Sequence, residues 1–162
     1  MLRFLCIILL ACLAAGCVPK GDLLSESIAD VRDRPLTYPD YPRGNVTYLS
    51  FSAAHGFQVN YIRGDGKAWL WYPGNTVVVP EMWKIEGGGT SLCWSHPSNS
   101  YNPVTRETGG GFTCSPRLFT ARTVVAHLPG DPFKLSSGKI PYRLGKCDAP
   151  KAFSFDRTRF HC

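Results

Sequence analysis

Hydrophobic positions change rhythm three times along the chain, and each change marks a different kind of segment. From Phe4 to Leu13 the residues are unbroken apolar, after a charged start at Arg3 and before the small residues Ala14, Ala15 and Gly16. A charged beginning, a short apolar centre and a small-residue end form the pattern of a secretory signal peptide. An apolar run of about ten residues is half of the roughly 20 needed to cross a bilayer core as a helix, so a transmembrane anchor is not expected. Next, Leu24, Ile28 and Val31 recur at i, i+4 and i+7, which predicts one face of a short helix ended by Pro35. Residues 35–44 hold Pro35, Pro39 and Pro42 with Tyr38 and Tyr41 between them. Proline has no N–H for a central sheet ladder, so this stretch is expected to be an extended strap lying over the domain.

From Val46 onward the period falls to two. Strands are predicted at 46–48, 57–61, 67–72, 77–79, 82–86 and 91–94, separated by turns at Gly64-Asp65-Gly66, Pro73-Gly74-Asn75 and Gly87-Gly88-Gly89. On the 67–72 strand Trp69 and Trp71 face one side and Ala68, Leu70 and Tyr72 the other. A longer strand at 118–128, with Phe119, Ala121, Thr123 and Val125 on one face, is expected to close the sheet. The tail from 129 reads as irregular, with one further strand at 152–155. Short strands between Gly and Pro turns predict an all-β class: a small antiparallel meander forming a barrel or sandwich, with a short N-terminal helix and disulfides. One segment interrupts the rhythm, the Ser, Asn, Pro and Gly-rich stretch 95–110, and loops of that length in a compact domain are often functional.

The cysteines add a compartment. Leu13-Ala14-Ala15-Gly16-Cys17 resembles the lipobox of bacterial lipoproteins. That resemblance implies a signal peptide at residues 1–16, acylation of the Cys17 thiol with palmitate-type chains, a short tether at 17–22 and a single secreted domain at 23–162. Val18 after the cysteine, where Asp would favour retention at the inner membrane, implies the outer membrane facing the periplasm. Several acyl chains at about 0.8 kcal/mol per buried CH₂ hold a domain to a membrane nearly permanently.

Cys6 and Cys12 leave with the signal, so Cys93, Cys114, Cys147 and Cys162 remain, an even set in an oxidising compartment. Three pairings are possible, and the expected one joins Cys93 to Cys114 and Cys147 to Cys162, each closing a short segment. Bridges of this span are worth about 3 kcal/mol each in the loop-closure model.

Charge changes the picture little. The chain carries 18 Lys and Arg against 12 Asp and Glu, a net +6, but the basic residues are scattered, so a solvated surface is expected and nucleic acid is not.

Candidate chemistry is sparse. Gly64-Asp65-Gly66-Lys67 lacks the spacing and the following helix of a phosphate loop and reads as a turn. Ser136-Ser137-Gly138-Lys139 has a Ser-x-x-Lys spacing without the helix or companion motifs that give it meaning. Cys93-x-x-His96 and His161-Cys162 offer zinc ligand types, but oxidised thiols do not ligate, so neither metal nor cofactor is expected. His55, His96 and His127 with Asp65, Glu81, Glu86 or Glu107 are the acid–base candidates, and each histidine reads as a surface or hydrogen-bonded residue. Trp69, Trp71, Trp83 and Trp94 are the aromatic groups able to stack on a sugar or fill a partner's pocket, although packing in the core or under the strap is the favoured account of all four.

The run from Gly66 to Asn75, with Trp83-Lys84, Leu92-Cys93-Trp94, Tyr101-Asn102-Pro103 and Gly109-Gly110-Gly111-Phe112-Thr113-Cys114, resembles a group of small exported proteobacterial proteins. That resemblance implies a disulfide-pinned loop between Cys93 and Cys114 and brings no catalytic activity. The expected function is therefore a non-enzymatic binding or inhibitor-like module of the cell envelope. Its partners would be the membrane through its lipid and an envelope protein or glycan through Trp94, His96, Tyr101, Trp69 and Trp71. Two other readings stay open: a small periplasmic hydrolase with His96 or His127 as base, and a purely structural lipoprotein.

Overall fold

The computed structural model describes residues 23–162, so the signal peptide, Cys17 and the tether lie outside the described residues. Helix α1 spans Leu23–Asp33. Its buried positions are Ser27 and Val31, while Ile28 is 48 % exposed, so the buried face sits one residue from the one the i, i+4, i+7 pattern predicts. Ser27 explains the shift, because its hydroxyl accepts the Ala54 N–H at 3.3 Å and fastens the helix to the turn after the first strand.

Strands β1 (Val46–Ser52), β2 (Gly56–Ile62), β3 (Lys67–Trp71), β4 (Val79–Glu86) and β5 (Ser91–Ser95) form an antiparallel meander. The separate strand expected at 77–79 does not form, because residues 72–78 are a loop and Val79 enters the sheet as the first residue of β4. In the first of the expected glycine turns, between β2 and β3, Arg63 grips Asp65 through two nitrogens, at 2.9 and 2.6 Å, and holds its carboxyl down to about 2. After β5 the chain makes a small separate hairpin, β6 (Tyr101–Asn102) and β7 (Glu107–Thr108), then returns as β8 (Phe112–Pro116) beside β5.

The predicted long strand at 118–128 is instead a short helix, α2 (Arg117–Ala121), followed by β9 (Val124–Pro129). The chain leaves β8 at one edge of the sheet and must reach β1 at the other, since β9 pairs with β1. Residues 117–121 make that crossing, held by the Thr120 hydroxyl at 3.3 Å from the Pro116 carbonyl and by Arg117, which donates to the Tyr41 carbonyl at 2.6 Å. The sheet order is β8-β5-β4-β3-β2-β1-β9, a curled open sheet shaped like half a barrel, with β8 and β9 as its edges.

Both faces of this sheet are covered by irregular chain. Outward-pointing Leu49, Phe51, Phe57, Val59 and Trp71 pack under the C-terminal tail, whose Leu135, Leu144 and Phe153 are buried with them. The tail contains turns and two 3-10 turns, at Leu135–Ser137 and Arg157–Arg159; the strand expected at 152–155 does not form. Its backbone pairs locally with the sheet instead, the Phe57 N–H donating to Lys146 and the Gly74 N–H to Leu144, each at 2.9 Å. On the inner face the strap lies as expected: Leu36, Tyr38 and buried Tyr41 pack with Tyr48, Ile62, Ala68 and Leu92, and Ala121 of α2 completes this second cluster. The disulfides join Cys93 to Cys114 and Cys147 to Cys162.

Candidate functional site

The strap and α2 fill only one end of the concave face. At the other end, where the β1–β2 turn, the β3–β4 loop and the β5–β8 loop gather, the concavity stays open as a cleft of about 770 Å³. That volume lies within the range of about 300–1,000 Å³ usual for small-molecule sites. Strand alternation puts Ser50, Gln58, Asn60, Leu70 and Glu81 on its wall, Tyr41 and Tyr48 mark the boundary with the plugged end, and Trp94, His96 and Tyr101 close the remaining side.

The centre of the cleft is a three-residue relay. Glu81 lies on β4 in phase with Val79 and Trp83, so alternation turns it inward, and its side chain is 2 % exposed. Burying a carboxylate costs several kcal/mol unless it is partnered. Two partners are supplied: Asn60 donates its Nδ2 to Glu81 Oε2 at 2.7 Å, and His96 Nδ1 stands 2.8 Å from Oε1. The β4–β5 register makes the second contact, since Met82 opposite Ser95 sets Glu81 opposite His96. The hydrogen bond to Glu81 raises the His96 pKa above the ordinary imidazole value, against the opposing effect of partial burial.

With Nδ1–H committed to Glu81, Nε2 is the free nitrogen of the ring: an acceptor or base when the ring is neutral, a donor when it is charged. Asn60 Oδ1 is buried with no hydrogen-bond partner. Tyr41 is buried beside this group, and desolvation, with the Glu81 charge as a second cause, pushes its phenol far above the usual value.

A second histidine stands at the mouth. His55 Nδ1 is 3.0 Å from the Tyr72 hydroxyl, and burial, aided by the charge of Lys146, lowers its pKa. His127 is exposed against Tyr38, with ring centroids 5.2 Å apart, and His161 is exposed in the tail; neither has a carboxylate within ion-pair distance among the described residues.

The loop at 95–110 forms one wall rather than a free excursion. The disulfide joins directly opposed residues of β5 and β8 at its base, and the Gly110 N–H donates to the His96 carbonyl at 3.0 Å. Gly109 is required here, because a Cβ at that position would lie 2.2 Å from the Pro97 carbonyl oxygen. Asn102 Oδ1 accepts the N–H groups of Val104 and Thr105 and shapes the hairpin tip.

Of the aromatic candidates, Trp94 and Tyr101 line the cleft and Trp69 and Trp71 do not. Trp71 is fully buried on the opposite face against Phe133 and Tyr142, and Trp69 stacks on Tyr61 with Arg63 above its ring. Trp83 belongs to the plugged end, its indole N–H donating to the Arg63 carbonyl at 2.9 Å. Ser136 and Lys139 lie in the tail, away from the cleft, and Ser137 donates to the Lys134 carbonyl. Glu86 approaches Cys93 and Cys114, but the two sulfurs are bonded to each other and offer no thiolate to a metal. Ser50, Gln58 and Asn60 are members of the site absent from the sequence-based candidates; the signal for Asn60 is an amide in phase with buried Ile62 on a strand otherwise rich in apolar residues.

Compared with known protein families, curated proteins and solved structures, the chain matches none.

Proposed function

We propose that this chain is a lipid-anchored, non-enzymatic binding protein of the bacterial envelope, acylated at Cys17 and displayed from the outer membrane into the periplasm, which takes its ligand into the open end of the curled sheet. The observation that carries the reading is a cleft of about 770 Å³ whose polar wall groups converge without saturating one another. Among the described residues the Ser50 hydroxyl, the Gln58 amide and the Tyr41 hydroxyl make no protein hydrogen bond, and Asn60 Oδ1 is buried unpaired. Groups of this kind, on a wall made of rigid strands, suit recognition. Trp94, His96 and Tyr101 are its side chains on the loop side; Trp69 and Trp71 are left to packing.

The test is capture. Full-length acylated protein, isolated from detergent-solubilised envelopes, is compared with a Trp94→Ala, His96→Ala, Tyr101→Ala triple variant, and the bound molecules are identified by mass spectrometry. A molecule or protein held by the wild type and lost from a variant that stays folded, judged by an unchanged circular-dichroism spectrum at the working temperature, is the expected result. Equal recovery by both overturns the site. The anchor is checked separately, since Cys17→Ser should abolish labelling by radioactive palmitate and release the protein from the membrane fraction.

A second reading rests on one distance, the 2.8 Å from His96 Nδ1 to Glu81 Oε1. A histidine oriented by a buried carboxylate, with Nε2 free, can act as a general base on water, which favours hydrolysis of envelope material. Against it, His96 makes no hydrogen bond to any serine, threonine or cysteine among the described residues. Release of soluble fragments from purified envelope by the wild type, lost in His96→Gln, would replace binding with catalysis.

A further inference from the structure

We infer that the ligand of this cleft is a neutral polyhydroxylated ring, a sugar or a short oligosaccharide, bound with an apolar ring face against Trp94 and Tyr101 and its hydroxyls toward Ser50 and Gln58. The inference deepens the binding reading and rests on it.

Charge removes the alternatives first. The chain has 18 Lys and Arg, yet among the described residues not one lines the cleft. A phosphate, sulfate or carboxylate ligand would enter a site with no fixed cation to meet it. An organic cation fares no better at the centre, because both Glu81 oxygens are already engaged, one by Asn60 and one by His96. The other acidic group, Glu107, is exposed on the hairpin at the rim. The interior is thus polar without being charged toward the ligand.

The open groups then describe the ligand. The serine and tyrosine hydroxyls and the glutamine amide each donate and accept, and the His96 Nε2 accepts while the ring is neutral. A hydroxyl is the one common ligand group that satisfies donors and acceptors alike by rotation. Rows of them on a ring leave an apolar C–H face, which the aromatic faces of Trp94 and Tyr101 can cover.

The experiment titrates the full-length chain in detergent by calorimetry with maltotetraose, cellotetraose and chitotetraose, and with spermidine and inorganic phosphate as charged probes. At least one saccharide is expected to bind, at least tenfold more weakly to Gln58→Ala, which keeps the wild-type melting temperature, and to Trp94→Ala, which loses packing but is titrated below its own melting transition. Binding of spermidine or phosphate in place of the saccharides, weakened by the same variants, overturns the sugar class and leaves the cleft as a binding site. Failure of all three saccharides to bind folded protein also overturns it, and the capture comparison with the triple variant then reports independently whether the binding reading falls too.

Discussion

The two faces of the curled sheet are finished in opposite ways. The outer face of β1, β2 and β3 presents Leu49, Phe51, Phe57, Val59 and Trp71, and the C-terminal tail buries all of them with aromatic rings of its own. The inner face of the same strands carries Tyr48, Ser50, Gln58, Asn60 and Leu70, and its cover, the strap and α2, stops halfway. One set of strands therefore supplies a saturated core on one side and a half-wet cleft on the other, because strand alternation lets the two faces be specified separately. The polar residues fall where the cover ends, so the gap is written into the strands and is not a loop that happens to stand open.

Neighbouring residues on β3 break this comparison most sharply. Trp71→Ala removes a fully buried ring from the outer core and is expected to cost about 3–5 kcal/mol. Leu70→Ala, one residue away on the cleft wall and partly exposed, should cost less than Trp71→Ala. Urea unfolding of both variants measures the contrast, and equal losses would mean that the inner face is packed as tightly as the outer.

The tail is tested next by replacing Cys147 and Cys162 with serine. The bridge spans 15 residues and is expected to contribute about 3 kcal/mol. Amide exchange should then quicken at outer-face contacts such as the Phe57 N–H while the Asn60–Glu81–His96 group keeps its wild-type behaviour.

The smallest effect separates the two histidines of the cleft. The raised pKa of His96 means that its pairing with Glu81 stabilises the fold fully below the unfolded imidazole value, about 6.5, and that this contribution fades as pH rises through the folded value. The lowered pKa of His55 has the reverse sign: its stabilisation is present above the unfolded value and is lost as pH falls through the depressed one. The melting-temperature difference between wild type and His96→Gln should shrink from pH 6 to pH 8, while that for His55→Gln should grow. Parallel pH profiles for the two variants would contradict the geometry.

Much of the fold is legible in the chain itself. Period-two alternation between glycine and proline turns locates five of the strands of the main sheet, the proline spacing locates the strap, and the even cysteine set matches two bridges. What escapes the sequence depends on long-range arrangement. Residues 117–121 alternate as a strand would, but they must carry the chain from one sheet edge to the other and curl into a helix to do so. Trp69 and Trp71 read as core more readily than as a binding surface, but nothing local reveals that it is residues 130–162 that return to cover them. The pairing of Glu81 with His96 depends on the β4–β5 register, although a glutamate in phase with Val79 and Trp83 is already an anomaly on an inward-facing row.

The fastening of α1 by Ser27 to the turn at Ala54 has a consequence for where the protein can work. That turn lies at the same end of the sheet as the cleft, with Ser52 and His55 on either side of it lining the mouth. An anchor at Cys17, six residues before Leu23, would leave a leash of about 20 Å at full extension. The mouth would then sweep only a thin shell above the surface holding the lipid. Molecules confined to that shell would meet it at a high effective concentration, while material beyond the shell stayed out of reach.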